Sequence, residues 1–294
     1  MMTAIVHESF ILPRLPPELE RKIFEQAAHS SFQRIPTLML TSWRVKIWLE
    51  PILYRVVIDP ELVDEYEDYA YLPNHTLLQK LRTRPPSSVG LFVRHILWEL
   101  SARNSNDLLV ALALCAHVTD LFILGNPDLM ILPAINGLQN LSHLAIHVQS
   151  LYPSGSSIDF TSHLFRRLTH LELLCCDFRS FPDALVGLGA APNLTHVSFN
   201  AIRDAAAVHE QIHKHTNLRC IVFFEVGPAK HLPSTADDRF VAVRQTRYIT
   251  DWLRGVTRGN DYWWLVERFI DAKRAGKVER SRYMIRDDDA SWQS

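Results

Sequence analysis

Histidine is the residue type in this chain that most readily suggests chemistry, since 14 of the 294 residues are histidines. A recurring six-residue pattern has an ionisable side chain at its third position in six copies: His95, Asp120, His143, His170, His196 and Cys220. Imidazole, carboxylate and thiolate groups can bind zinc or transfer protons. Zinc needs ligands that converge on one point, and a row of side chains across neighbouring strands does not converge. We therefore predict no metal site, no cofactor and no catalytic residues.

Common enzyme motifs and targeting signals are missing from the sequence as well. Neither a G-x-S-x-G nucleophile motif nor a G-x-x-x-x-G-K-[ST] phosphate-binding loop occurs. Lys and Arg total 31 against 32 Asp and Glu, so no basic field favours nucleic acid or an anionic membrane. His7 and Glu8 lie where a secretory signal needs an apolar run, and the four cysteines lack C-x-x-C spacing. These features predict an intracellular protein, cytoplasmic or nuclear, with no nucleic-acid or membrane partner.

The pattern around the histidines is L-x-x-L-x-L, and its central copy is Leu168, Leu171 and Leu173. The flanking copies are Val93, Ile96, Trp98; Val118, Leu121, Ile123; Leu141, Leu144, Ile146; Leu194, Val197, Phe199; and Leu218, Ile221, Phe223. Their first positions are 25, 23, 27, 26 and 24 residues apart. A period in the twenties with this signature is typical of leucine-rich repeats. An earlier copy, Leu53, Val56 and Ile58, begins 40 residues before Val93.

Each copy ends in a short alternating segment, which is typical of a strand with one apolar face. Such strands bury that face by stacking in parallel, and each parallel connection needs a dozen or more residues. We predict an α/β leucine-rich-repeat-type solenoid over residues 53–244, with about seven or eight parallel strands inside and helices outside. Residues 59–73, which contain six carboxylates and no Lys or Arg, are predicted to form an acidic insertion. Two amphipathic stretches in residues 245–294 predict a C-terminal helical cap and tail.

The first 52 residues have a different pattern, which predicts a small helical module. Pro16 and Pro17 can begin a helix because the first turn lacks partners for N–H groups, and Leu19 and Ile23 then share one face. A second helix is predicted from Thr37 to Glu50, ended by Pro51.

The segment L-P-P-E-L-x-x-x-I-F, from Leu15 to Phe24, together with the later Thr41-Ser42-Trp43-Arg44, resembles an F-box. The chain as a whole resembles the F-box and leucine-rich-repeat-like proteins that are common in mushroom-forming fungi. In that family the module docks on the Skp-type adaptor of cullin–RING ubiquitin ligases. The resemblance implies an adaptor-binding surface made of Leu15, Pro16, Glu18, Leu19, Ile23 and Phe24.

Two functions follow from the resemblance. The first is a non-catalytic substrate-recognition subunit of an SCF-type ubiquitin ligase, which binds the adaptor through the N-terminal helices and a client protein through the repeats. The alternative is a leucine-rich-repeat interaction scaffold whose degenerate F-box only caps the solenoid.

The predicted client-binding surface is the concave face of the solenoid. Alternation places eight residues there: His95, Asp120, Phe122, Leu124, His143, His147, His170 and His196. The same face carries two apolar pairs, Phe122 with Leu124 and Val222 with Phe224. Such pairs are either covered by the chain's own C-terminal helices or act as anchors for a partner. We expect self-burial for Val222 and Phe224, and a binding surface at Phe122 and Leu124.

Overall fold

The structure is a computed structural model. It describes residues 15–59, 62, 71–83, 89–101, 104–125, 129–147, 158–174, 185–200, 204–224, 232–244, 247–286 and 291–292. The chain divides into two compact units, Met1–Leu53 and Tyr54–Ser294. Residues 245–294, predicted as a separate cap and tail, therefore belong to the same unit as the strands. Most of the predicted acidic insertion lies outside the described residues, as do Cys175 and Cys176.

The first unit contains three helices: α1 (Pro17–Ser30), α2 (Ile35–Met39) and α3 (Trp43–Leu53). The prediction of one helix from Thr37 to Glu50 is wrong in two respects. Ser42 interrupts it, because its Oγ accepts a hydrogen bond from the N–H of Val45 at 3.3 Å and so caps α3. Pro51 lies inside the last turn of α3 rather than ending it.

A small core joins the three helices of the first unit. Ala28, Ile35, Val45 and Leu49 are fully buried, and Phe24 packs against Trp48 with ring centroids 6.5 Å apart. An ion pair links α1 to α3, with the Arg44 guanidinium 2.6 Å from the Glu20 carboxylate.

The second unit is built on a ten-stranded parallel sheet, and its fold class is α/β as predicted. The strands are β1 (Val56–Ile58), β2 (Leu72–Pro73), β3 (His95–Glu99), β4 (Asp120–Leu124), β5 (His143–His147), β6 (His170–Leu174), β7 (His196–Phe199), β8 (Cys220–Phe224), β9 (Phe240–Arg244) and β10 (Met284–Arg286). Their order in the sheet is β10-β9-β8-β7-β6-β5-β4-β3-β1-β2. The sequence predicted seven or eight strands; β2 and β10, which are only two and three residues long, are too short to give a periodic signal.

The register of β3 to β8 confirms the repeat pattern. Leu144 of β5 is paired with Leu171, which is the equivalent residue of β6, and Leu171 is paired with Val197 of β7. The predicted register of β1 is wrong by one residue, because Val57 rather than Val56 is paired with Ile96. The segment Val56–Ile58 is apolar at every position and buried throughout, so alternation could not distinguish its two faces.

Helices fill several of the connections between strands. They are α4 (Asn74–Thr83), α5 (Ser105–Leu114), α6 (Leu132–Gly137) and α7 (Ala205–Ile212). The short helix predicted from Phe160 to Arg167 is a series of turns instead. The carboxylate of Asp159 accepts a hydrogen bond from the N–H of Thr161 at 2.9 Å, a local bond that competes with helix formation.

Two longer helices, α8 (Tyr248–Arg258) and α9 (Tyr262–Arg274), precede β10. The turn between them is fixed by Asp251, whose carboxylate pairs with the Arg254 guanidinium and accepts a hydrogen bond from the N–H of Tyr262 at 2.8 Å. Further on, Trp292 is buried and packs against Phe269. Among the described residues, no helix combines the length and the apolar character that crossing a membrane requires.

Candidate functional site

Helix α1 presents an apolar strip to solvent. Leu15, Leu19 and Ile23 recur every four residues, and their side chains are 53%, 48% and 53% exposed. Leu19 and Ile23 lie one turn apart on one face of α1, and Leu15 precedes the first residue of the helix, Pro17. The sequence placed these three residues in the adaptor-binding surface, and the structure leaves them accessible.

The other predicted adaptor-binding residues are less uniform. Pro16 and Glu18 are exposed. Phe24 is only half-exposed, because its ring packs against the core of the first unit beside Trp48. Phe24 therefore contributes mainly to the core, and the prediction that it forms part of the docking surface is weakened.

Sequence reasoning missed a second group of exposed apolar residues in the same unit. Leu40, Trp43 and Ile47 are 85%, 71% and 53% exposed. Trp43 and Ile47 are one turn apart on α3, and the Lys46 ammonium lies 4.7 Å from the centroid of the Trp43 ring. The four-residue spacing of Trp43 and Ile47 could have identified this strip, had the sequence been divided into α2 and α3 correctly.

The histidine row predicted from the repeats exists in the second unit. His143, His170 and His196 are paired in register across β5, β6 and β7. Their rings stack, with centroids 4.0 Å apart at both steps and interplanar angles of 15° and 12°. The equivalent residues on the flanking strands are His95, Asp120 and Cys220.

A hydroxyl residue precedes each stacked histidine and hydrogen-bonds to it. The Oγ atoms of Ser142, Thr169 and Thr195 lie 2.8–2.9 Å from the Nδ1 atom of the next histidine. Each hydroxyl donates its proton to a backbone carbonyl of the adjacent segment, at 3.1 to 3.3 Å. Since a hydroxyl has one proton to donate, it accepts from the histidine, whose Nδ1 therefore carries the hydrogen. In His143 and His170 this tautomer leaves Nε2 as a hydrogen-bond acceptor, whereas Nε2 of His196 faces the Glu267 carboxylate, which can only accept a hydrogen bond.

Helix α8 covers the face of the sheet that carries these histidines, which we call the capped face. Phe122 is only 1% exposed, and its ring contacts those of Tyr248 and Trp252 at 5.3 and 6.2 Å. Leu124 packs into the same cluster. The indole N–H of Trp252 donates to the Asp120 carboxylate at 3.0 Å. The prediction that Phe122 and Leu124 form an open client-binding surface is therefore wrong, because the chain's own helix occupies the place of the client.

Helix α9 covers the continuation of the capped face. The Trp263 ring meets His170 edge-on at 5.2 Å, and the nearly buried His196 lies 3.0 Å from the Glu267 carboxylate through its Nε2. Neither histidine is free to form a client-binding surface. The prediction that Val222 and Phe224 are self-buried is confirmed, because they pack in one cluster with α9.

The remaining predicted client-binding histidines are also partly enclosed. Both ring nitrogens of His95 and the Nδ1 of His147 are buried without a hydrogen-bond partner. Burial lowers the pKa of His95 to about 3 and that of His143 to about 4, and the positive charges of Arg55 and His196, respectively, act in the same direction. These side chains are therefore neutral near pH 7, which disfavours a role as cationic docking groups.

A cavity lies between the capped face and helices α8 and α9. It contains about 430 Å³ of space between atoms, part of it open to solvent. Its lining consists of Asp120, Phe122, His143, Leu144, Ala145, His170, Glu172, Tyr248, Trp252, Asp261, Tyr262 and Trp263. Asp120, His143 and His170 are the only residues of the predicted chemistry-bearing row that line it.

The carboxyl groups of the cavity have unusual protonation behaviour. Burial raises the pKa of Asp120 to about 7, although the hydrogen bond from Trp252 opposes the shift. Burial also raises the pKa of Glu172 well above its ordinary value. One Glu172 oxygen accepts a hydrogen bond from the Tyr262 hydroxyl at 3.1 Å, while the other, Oε1, is buried without a partner. Sequence reasoning missed Glu172 as a functional residue, because a single acidic residue in a strand carries no distinctive signal.

No group of three or more His, Cys, Asp or Glu side chains within the described part of the chain is arranged to hold a metal ion. Comparison with family models, curated proteins and solved structures finds no match to this chain. Two features are therefore the candidate functional sites, the apolar strips of the first unit and the cavity of the second.

Proposed function

We propose that this protein is a non-catalytic substrate-recognition subunit of an SCF-type ubiquitin ligase, which binds a Skp-type adaptor through its first unit. The observation that carries the proposal is the exposed apolar strip formed by Leu19 and Ile23 of α1 together with Leu15, which precedes the helix. The F-box resemblance of the same segment supplies the identity of the partner.

Apolar side chains that remain in contact with water cost free energy. Side chains of this size are normally buried, and when several of them are exposed together they mark an interface. The first unit has only 53 residues, yet six large apolar side chains among those that the structure describes are about half or more exposed: Leu15, Leu19, Ile23, Leu40, Trp43 and Ile47. These residues stay exposed when the unit folds, so their burial by a partner contributes hydrophobic free energy to binding.

The second unit supports a receptor role in a more restricted way. Its parallel strands and repeat spacing favour a leucine-rich-repeat-type solenoid, a fold that commonly binds proteins. Because α8 and α9 occupy the capped face, we place the client on another surface of the second unit. The alternative function, an interaction scaffold without adaptor binding, shares this second unit and differs only in the role of the first.

The test is a binding measurement with a purified Skp-type adaptor and the full-length protein. We expect a Kd in the micromolar range or tighter, and a loss of about 100-fold or more for the double variant Leu19→Asp/Ile23→Asp, because both substitutions remove apolar contacts and bury a charge. Val186→Asp is the matched control: Val186 is 61% exposed but lies in the second unit, so its substitution should leave adaptor binding unchanged.

Unchanged thermal unfolding of the double variant shows that its loss of binding is not a loss of folding. Failure of the wild-type protein to bind the adaptor at about 100 µM would exclude the receptor function and favour the scaffold. Equal binding by the wild type and the double variant would place the adaptor elsewhere.

A further inference from the structure

The cavity under α8 and α9 is lined by carboxyl groups, imidazoles and aromatic rings. Three carboxyl groups, those of Asp120, Glu172 and Asp261, and two imidazoles, those of His143 and His170, line it. None of the described lining residues is Lys or Arg. A negatively charged ligand would therefore find no Lys or Arg partner among these residues.

Glu172 provides the most specific indication that a ligand belongs there. Its side chain is 6% exposed, and Oε1 is enclosed without a hydrogen-bond partner. Tyr248, which also lines the cavity, has a hydroxyl that is enclosed and unpartnered in the same way. Buried polar atoms without partners are rare in folded proteins and call for an explanation such as a bound molecule.

The stacked histidines add acceptors to the same space. The hydroxyl groups of Ser142 and Thr169 fix the hydrogen of His143 and His170 on Nδ1, as described above, so that both Nε2 atoms present lone pairs. A molecule that fits this environment must therefore donate several hydrogen bonds. A positive charge on this molecule would stabilise the ionised form of the carboxyl groups.

Aromatic rings complete the lining. Trp252 and Trp263 belong to α8 and α9, and Phe122 and Tyr248 are in ring contact with each other. Aromatic faces attract organic cations and pack against aliphatic chains. A bare metal ion fits less well, because the described His and acidic groups do not converge in the way that metal coordination requires.

We propose that the cavity binds a small protonated primary amine. The ammonium group donates hydrogen bonds to Oε1 of Glu172 and to neighbouring acceptors, and its short alkyl chain lies against the aromatic rings. The ammonium ion offers three N–H donors and one positive charge, which matches the acceptors and carboxylates of the lining. This proposal does not depend on adaptor binding by the first unit.

Calorimetric titration of the full-length protein with n-butylammonium chloride tests this proposal, and 1-butanol serves as the neutral ligand of equal length. We expect saturable binding of n-butylammonium with a Kd of about 1 mM or tighter, and at least about tenfold weaker binding of 1-butanol. Glu172→Gln retains the size of the side chain and removes its charge, so this variant should bind n-butylammonium about tenfold more weakly or worse. If the Glu172→Gln variant does not fold, Asp120→Asn is the test variant instead.

Three results would overturn the proposal. One is the absence of saturable n-butylammonium binding at concentrations of about 10 mM. Another is equal affinity for n-butylammonium and 1-butanol, which would identify an apolar site for neutral molecules. The third is wild-type affinity in a folded Glu172→Gln or Asp120→Asn variant, which would place the amine outside the cavity.

Discussion

Regularly spaced apolar side chains are exposed in the first unit and buried on the capped face of the second. On α1 and α3 of the first unit, Ile23 and Trp43 are 53% and 71% exposed, whereas Phe122 on the capped face of the second unit is 1% exposed. Both sets are regularly spaced in the sequence, as interface residues and core residues alike can be. The difference is that α8 supplies a cover for Phe122, whereas no described segment of the first unit covers Trp43.

A spacing pattern thus identifies a face of a helix or sheet but not the segment that covers it. Alternation of side chains at every second position predicted the two faces of the sheet, and apolar residues at every fourth position predicted the strip beside α1. Whether either face is a core or an interface depends on contacts between residues far apart in the chain. Mutations can therefore test the assignment of each face, because core residues affect stability and interface residues affect binding.

Phe122→Ala should have the largest effect on stability. Its ring packs against Tyr248 and Trp252, and its removal leaves a cavity beneath α8. We expect a loss of about 3–5 kcal/mol in the free energy of unfolding, measured by urea denaturation. A loss below about 1 kcal/mol would mean that α8 does not cover this face in solution and would restore Phe122 as a candidate client-binding residue.

Trp252→Phe should have an intermediate effect. The substitution keeps an aromatic ring in the cluster but removes the N–H that donates to Asp120 at 3.0 Å. Loss of one partner of an enclosed hydrogen bond should reduce the free energy of unfolding by about 1–3 kcal/mol. Trp264→Phe, at an indole that is 38% exposed on the neighbouring helix, is the control and should stay within about 0.5 kcal/mol of the wild type.

The pH dependence of stability should reveal the burial of Asp120. Its pKa is raised from 3.8 to about 7 in the folded protein, so between these values the folded state holds a proton that the unfolded state has lost. The free energy of unfolding of the wild type should therefore fall relative to Asp120→Asn as the pH rises from about 4 to about 7. A decline of about 1 kcal/mol or more, measured by denaturation at several pH values, supports the burial; parallel curves for the two proteins contradict it.

Trp43→Ala should have the smallest effect on stability. With 71% of its side chain exposed, Trp43 contributes little to the core of the first unit, and we expect a change below about 0.5 kcal/mol in the free energy of unfolding. The same variant should weaken adaptor binding if the second strip belongs to the interface, by about 1 kcal/mol or more. A large loss of stability would instead assign Trp43 to the core.

The sheet was predictable to a large extent because its signal is local and repeated. The template residues of β3 to β8, such as Leu121, Leu144 and Leu171, occur at nearly constant intervals, and the structure pairs them in that register. The pattern failed at β1, where consecutive apolar residues give no alternation. It also failed at β2 and β10, which are too short to show one.

The candidate sites were predictable only in part. The strip of Leu15, Leu19 and Ile23 has a local pattern and its side chains are about half exposed, while its adaptor binding stays a prediction. The cavity has none, since it depends on contacts such as the one between Trp252 and Asp120, which are 132 residues apart. Sequence periodicity does not record such pairs, which explains why cover by the C-terminal helices was predicted for Val222 and Phe224 but not for Phe122 and Leu124.

Helices α8 and α9 follow β3 to β8 in the chain, so during synthesis they are made after the face that they cover. A ribosome completes β3 to β8 before it makes Tyr248–Arg274, so the capped face of the nascent chain, with Phe122, has no cover until then. Domains generally begin to fold during synthesis, at about 5–20 residues per second, and transiently exposed apolar surface promotes aggregation. Premature termination before Tyr248 would therefore leave a chain whose capped face has lost its cover and is prone to aggregate.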